Sequence, residues 1–426
     1  MATPIFQAVR GMNDCFGDML QLHSRVEQTA SGLFCCYGYQ QMRTPIVEAL
    51  DLFVRSVGQQ TDVVQKEMYL LAGEEKRPLC LRPENTASVV RAVLQQGLLQ
   101  QNPEVKLWYC GPMFRRERPQ QGRLRQFHQI GAEAFGNHEP SLDAELICML
   151  QHWLHTLGLH NTQLHINSLG TPQQRQRYTD VLRQHYQQHS DKLCSNCQRR
   201  LHTNALRVLD CKEPACRQLA ATAPSSLEFL DTQSRQHFDE VCRLLQQAEV
   251  AFDIDSTLVR GLDYYTHTVF EIIGTQGLGA QDAVAAGGRY NELVQDLGGP
   301  AVPALGFAAG IERLAALLQQ CNDAAHKQNR PHVMLIYADA VARQQLLQLA
   351  NGLRQHNIWA HFTHGDRSVK AQMRLAHRCQ AQYVLVVGQT ELQTNQAILK
   401  QMQTKQQQTV PLSVPKIAKQ LLQQQP

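Results

Sequence analysis

Apolar positions return every three or four residues over 19–37, where Leu22, Val26, Leu33, Phe34 and Tyr37 share one side of a helix and Gly38 follows as its stop. A strand is expected from Tyr39 to Val47, then a second helix over 86–99. The stretches Leu107–Arg115 and Arg125–Phe135 read as two strands joined by a polar loop, Arg116–Leu124. Helical spacing resumes at 143–157, 172–188 and 234–248, around a cysteine-containing stretch, 194–216. Residues 251–318 alternate strand patterns with glycine clusters and close on a helix, Ile311–Leu318.

Polarity rises over 319–331, which reads as a linker ending at Pro331. Beyond it, apolar strands at 333–338, 358–362 and 383–388 alternate with helical patterns at 341–355 and 367–379, the rhythm of a small separate α/β domain. The glutamine-rich stretches 401–408 and 420–425 read as solvated surface, and no internal repeat is evident.

Length changes this picture little: 426 residues correspond to about three domains of ~150, or two if one is a large catalytic core. With 43% apolar and 18% charged residues, and no run of ~18 apolar residues, the chain reads as soluble and globular, not as a membrane protein or a disordered tail. Thirteen cysteines, an odd number, and no leader or transit pattern in the first 24 residues point to a reducing, cytoplasmic setting. The net charge of +4 argues against a protein that coats nucleic acid with its whole surface.

Chemistry concentrates between 107 and 135. Residues 115–125 hold five arginines and one acid, Glu117; guanidinium forks on one loop suit a polyphosphate or a nucleic-acid backbone, and a solvated loop is the plain alternative. On the strand that follows, a period of two puts Phe127, Gln129, Gly131, Glu133 and Phe135 on one face and His128, Ile130, Ala132 and Ala134 on the other. The second face reads as core; the first offers an aromatic, an amide, a gap and a carboxylate in register to a small molecule. LRPENT at 81–86 places Glu84 and Thr86 at a helix start, where capping alone would account for them. In RGLDYY at 260–265, Arg260 in an apolar setting needs an anionic partner. AAGGRY at 285–290 supplies glycines before Arg289 and Tyr290. GFAAGIERL at 306–314 puts small residues ahead of Glu312 and Arg313, with room for a ligand phosphate or with ordinary close packing.

In this order the motifs resemble a family. YGYQQMRTPIVE, FRRERPQQGRLRQFHQIGAE and GFAAGIERL look like the three signatures of class II aminoacyl-tRNA synthetases, and LVRGLDYYTHTVFE and AAGGRYNELV like the two peculiar to the histidyl-tRNA synthetase family. The resemblance runs from AVRGMND at 8–14 into the C-terminal domain. It implies an α+β fold: a class II catalytic domain over 1–325 built on an antiparallel sheet flanked by helices, a helical insertion at about 170–250, and an anticodon-binding α/β domain over 331–426. It implies a ligase that activates L-histidine with ATP and Mg²⁺ and passes it to tRNA(His), acting as a homodimer through the Pro45 segment.

Residue by residue, the resemblance implies that Arg115, Glu117, Arg125, Phe127 and Arg313 hold ATP. It assigns Glu84, Asn85, Thr86, Arg115, Gln129, Glu133, Arg260, Tyr264, Tyr265 and Tyr290 to histidine, with Arg115 and Arg260 as catalytic cations. Asn85 stands where the family pattern usually has Gly, and Asn tolerates a left-handed backbone better than most residues. Cys194, Cys197, Cys211 and Cys216 have the spacing of a zinc knuckle; inert thiols are the favoured reading and structural Zn²⁺ the less favoured one. The rival is a non-catalytic paralogue, the regulatory subunit of ATP phosphoribosyltransferase, which commonly lacks the C-terminal domain and erodes these motifs. A nucleic-acid-binding module without chemistry would leave the ordered strand face unexplained. The charge also divides at the linker: residues 331–426 carry ten Lys or Arg against three acids, +7, and the remainder 31 against 34, −3. A basic C-terminal domain is where a tRNA would bind.

Overall fold

The computed structural model describes residues 6–58, 61, 63–72, 77–120, 122–274, 283–321 and 330–423. The chain forms two compact units, Met1–Ala324 and Ala325–Pro426. Most of the expected linker, 322–329, and the last three residues of the chain lie outside the described residues.

In the first unit the strands are β1 Gln40–Gln41, β2 Val47–Ala49, β3 Tyr69–Leu71, β4 Leu79–Leu81, β5 Val105–Phe114, β6 Gln126–Phe135, β7 Thr162–Ser168, β8 Asp253–Ile254, β9 Thr266–Gly274, β10 Ala283–Arg289 and β11 Ala304–Gly310. Eight of them make one sheet in the order β1-β5-β6-β11-β10-β9-β7-β8, and β2-β4-β3 make a second, small one. The six inner strands of the large sheet pair antiparallel, and the two-residue edge strands β1 and β8 pair parallel to their neighbours.

One face of this sheet is covered by helices Gly17–Cys36, Pro140–Thr156, Thr232–Gln247 and Ile311–Gln320, which bury Val26, Phe34, Ile147, Trp153, Phe238 and Leu314 against Ile130, Ala132 and Ala134 of β6. The core face expected for β6 is therefore the core face, except at His128. That residue is half-buried, and its Nδ1 lies 2.9 Å from Glu312, whose carboxylate also accepts from the His128 backbone N–H. The bond from Glu312 raises the imidazole's proton affinity against the effect of burial. Thr232–Gln247, inside the region expected as an insertion, contributes Phe238, Val241 and Leu245 to this same core.

The strand expected over Tyr39–Val47 splits between two sheets. Pro45 has no N–H to give a ladder, and the carbonyls of Thr44 and Pro45 instead accept from Nη1 of the buried Arg82, which also reaches Pro112 O and Asn85 Oδ1. The helix expected over 86–99 ends at Gln95, because Gly97 takes a left-handed conformation before a separate turn, Leu98–Gln101.

The second unit is a five-stranded sheet of β12 Val333–Tyr337, β13 Ala360–Phe362, β14 Tyr383–Val387, β15 Gln396–Gln401 and β16 Gln407–Pro411, ordered β13-β12-β14-β15-β16. Helices Ala340–Gln355 and Val369–Arg378 connect the parallel strands. The glutamine-rich stretch 401–408 is largely exposed, as expected, and ordered elements flank it. β15 alternates exposed Gln396 and Ile398 with buried Ala397 and Leu399, and helix Val414–Gln423 buries Ile417, Ala418 and Leu421.

Arg289, at the end of β10, is 1% exposed and makes a bidentate pair with the fully buried Asp143, adding bonds to the carbonyls of Asn137 and Glu139. Burial works to raise the Asp143 pKa, but Arg289 and His237 outweigh it and hold the carboxyl below its ordinary range. Asp143→Asn would leave a buried guanidinium without its counter-charge and should cost about 3–5 kcal/mol, read as a lowered urea midpoint. An unchanged midpoint would show that the pair contributes no net stability.

Candidate active site

On the other face of the large sheet lies a cavity of about 370 Å³. The antiparallel register sets Gly111 of β5 beside Gln129 of β6, and Gln129 beside Gly310 of β11, so Phe127 and Gln129 rise from the middle of the sheet. The Gln129 amide oxygen is buried there with no partner among the described residues.

One wall is cationic. Arg115, Arg123 and Arg313 line the cavity together with Glu117. Arg115 donates from Nε to Pro83 O at 3.0 Å, and its guanidinium stands 5.2 Å from the centroid of the Phe127 ring. Arg313 donates to Ala283 O at 2.5 Å and to Gly122 O at 3.1 Å, which tethers its head beside the loop. Burial, then repulsion from Arg123 and Arg115, depresses the Arg313 pKa. Cations held this close, partly out of water, favour a multiply charged anion. Glu117 accepts from Arg123 Nη1 at 2.9 Å.

The opposite wall carries Arg260, Tyr264 and Tyr265 from the segment before β9, and Glu271 within it. Arg260 stands 3.4 Å from Glu271 and 5.7 Å from the centroid of Tyr265. Burial opposes its charge, yet Glu271, with smaller help from the tyrosines and Asp210, keeps its pKa above the ordinary value. Its Nε has no partner among the described residues. The Tyr264 and Tyr265 rings meet at a tilt of 45° with centroids 4.6 Å apart, and burial raises both phenol pKa values.

The floor is acidic. The Glu84 carboxylate accepts from the backbone N–H groups of Thr86 at 2.6 Å and Ala87 at 3.0 Å, capping helix Thr86–Gln95 while lining the cavity. The capping and site readings of LRPENT thus describe one arrangement. Beneath it Glu133, 0% exposed, accepts from Thr86 Oγ1 at 2.8 Å and Tyr290 Oη at 2.5 Å, and burial pushes its pKa up to about 8.

The structure thus brings Glu84, Thr86, Arg115, Glu117, Phe127, Gln129, Arg260, Tyr264, Tyr265 and Arg313 to one cavity. Four residues named from the sequence stand behind or beside it. Glu133 and Tyr290 form the buried layer under Thr86. Arg125 spends its guanidinium on the carbonyls of Glu117 and Arg10. Asn85 turns Oδ1 to Thr44 and Arg82, and its φ of −119° is not left-handed, so its substitution for Gly calls for no special backbone. The expected gap at Gly131 is filled by Tyr109, whose ring leaves no room for a Cβ, and Gly306 makes the same allowance for the Glu133 carboxylate. Glu271 and Tyr109 were not singled out by sequence. Glu271 alternates with Phe270 and Ile272 of the buried face, the signal that would have found it.

Comparison with known proteins agrees with this geometry. The family model described as histidyl-tRNA synthetase matches residues 11–314, and that described as anticodon binding domain matches 332–420. The histidine–tRNA ligase of Syntrophotalea carbinolica is 43% identical over 95% of this chain and 96% of its own, and that of Geobacter sulfurreducens 42% identical over 96% and 98%. The crystal structure of apo histidyl-tRNA synthetase from S. aureus aligns with a TM-score of 0.78 at 34% identity, covering 96% of this chain and 98% of that one. The chain belongs to the histidyl-tRNA synthetase family, the class II ligases that charge tRNA with histidine at the expense of ATP.

Proposed function

We propose that this chain is a histidine–tRNA ligase whose two steps share the cavity under the large sheet. The observation that carries the proposal is the convergence of Arg115, Arg260 and Arg313, from three separate segments, on one cavity that also holds Glu84, Gln129 and a tyrosine pair. The triphosphate lies along Arg115, Arg123 and Arg313, with adenine against Phe127 and Glu117 beside it; Arg125 serves by holding the loop. The histidine ammonium meets Glu84, Thr86 and Gln129, and its imidazole meets Tyr264 and Tyr265, backed by Tyr290 and Glu133.

The histidine carboxylate then attacks the α-phosphorus in line, releasing pyrophosphate and leaving histidyl-adenylate. Arg115 and Arg260 face the charge that builds on the α-phosphoryl oxygens, and positioning supplies most of the rest. The terminal ribose hydroxyl of the tRNA next attacks the adenylate carbonyl. Glu117 and Glu271 give the cavity hard oxygen ligands of the kind Mg²⁺ takes, and such an ion, arriving on the phosphates, would offset their charge. Residues 1–325 are assigned to catalysis and 331–426 to the anticodon stem, where most of the ten cations are exposed. The half-exposed apolar side chains Ile46, Val47, Leu70 and Leu71, on and beside the β2-β4-β3 sheet, support a homodimer through the Pro45 segment. Among the described residues no helix is long and apolar enough to cross a membrane; a cytoplasmic address is part of the proposal.

Arg260→Ala should lower histidine-dependent ATP–pyrophosphate exchange about 10²-fold or more, the scale of one preorganised stabilising donor. Near-normal exchange would remove Arg260 from the chemistry, and absence of exchange in the wild type would favour the regulatory paralogue.

The Glu133 carboxyl keeps its proton in the folded protein up to about pH 8, against an ordinary 4.5. Its contribution to stability is therefore full below the ordinary value and is lost as pH rises through the folded one. Glu133→Gln mimics the protonated form, so the melting temperature of the variant relative to wild type should climb between about pH 5 and pH 9. A difference independent of pH would mean that Glu133 is ionised in the folded state.

A further inference from the structure

Cys194, Cys197, Cys211 and Cys216 come together in the segment between helices Pro172–Gln187 and Thr232–Gln247. Cys194 stands just before helix Ser195–Thr203 and Cys197 in its first turn; Cys211 follows the turn Ala205–Val208, and Cys216 lies in helix Pro214–Ala220. All four sulfurs lie within 4.8 Å of one another, and Cys194 and Cys211 are 3.9 Å apart, far beyond a disulfide bond. A tetrahedral ion with Zn–S bonds of ~2.3 Å requires sulfurs ~3.8 Å apart, so the cluster has the dimensions of a Cys₄ cage. The backbone N–H of Cys194 points at the Cys216 sulfur at 3.3 Å, the outer-shell bond that steadies a coordinated thiolate. Four thiolates on a divalent ion carry a net charge of −2, and residues 194–216 hold four Lys or Arg against two acids, a net of +2 that offsets it.

The same segment packs against the stretch that carries Arg260, Tyr264 and Tyr265 to the cavity. Asn204 donates to Asp263 at 3.1 Å, within RGLDYY, and Asp210 contributes to keeping Arg260 charged. Leu201, Val208 and Leu209 share one core with Leu258, Val259, Tyr264 and Tyr265. The segment itself is made of short helical turns, too little for a self-sufficient core, which is where proteins use a metal clip.

We propose that these cysteines bind one Zn²⁺ as a closed structural site, releasing four thiol protons, and that the ion holds the Asn204–Asp210 turn against the segment carrying Arg260. The first part stands independently of the ligase reading; the second rests on Arg260 as a transition-state cation.

The test uses the full-length protein purified under reducing conditions. Metal analysis should give one zinc per chain. Replacement by Co²⁺ should give the sulfur-to-cobalt charge-transfer and visible bands of tetrahedral thiolate ligation, and Cys211→Ser and Cys216→Ser should lose both. No stoichiometric zinc and no such bands would overturn the site; that result needs no variant to fold. Removal of the zinc by a chelator should lower pyrophosphate exchange about 10-fold or more, mainly in kcat, while the β-sheet circular dichroism persists. Zinc bound at one per chain, but removed without effect on exchange, would overturn the link to Arg260 and leave the wild-type ligase activity intact.

Discussion

The register of β6 between β5 and β11 is the constraint on which the rest depends. A strand has a period of two, so one face of β6 must hold Ile130, Ala132 and Ala134 and the other Gln129 and Glu133. A slip of one residue would send the amide and the carboxyl into a core of Trp153, Phe34 and Leu146 and expose Ile130 and two alanines to the cavity. The hydrophobic face thus enforces the position of the polar one. Tyr109 above Gly131, and Glu133 against Gly306, lock the same register from the cavity side, since neither glycine has space for a Cβ.

Around that strand the charges are sorted by depth. Arginines stand on both walls, and a phosphate chain beside Arg115, Arg123 and Arg313 would relieve the mutual repulsion that lowers the Arg313 pKa after burial has done so. Glu84 is deeper, and although burial raises its pKa, two backbone N–H groups favour its ionised form. Glu133 is deepest and holds its proton. A gradient from anion-seeking rim to neutral, hydrogen-bonded floor suits a ligand that is a polyphosphate at one end and a small polar ring at the other.

Much of the site was readable because its residues fall on local patterns: an arginine-rich hairpin loop, an alternating strand, glycine-punctuated motifs. The ion pair and hydrogen bonds that brace the site join segments far apart in the chain. Arg82 joins segments about forty residues before it and thirty after it, and the Asp143–Arg289 pair spans 146 positions. Neither differs locally from an ordinary charged residue. The glutamine-rich tail divides: residues 403–407 are exposed, as their composition implies. The apolar positions that flank it are the ordered ones, Ala397 and Leu399 buried with the period of a strand and Ile417 and Leu421 with that of a helix.

Periodicity along the chain determined the helices, the β5–β6 hairpin, the alternating second unit and which side chains share a strand face, because those follow from backbone geometry within a few residues. Which face borders a cavity and which a core was decided only when β11 and the segment before β9 closed on β6. The same holds for Asn85 turning away, for Arg125 bracing its loop and for four cysteines meeting across 23 residues, 194–216. These outcomes depend on contacts between distant segments, whose free energy is set by burial and partners in three dimensions and is not written in any local stretch.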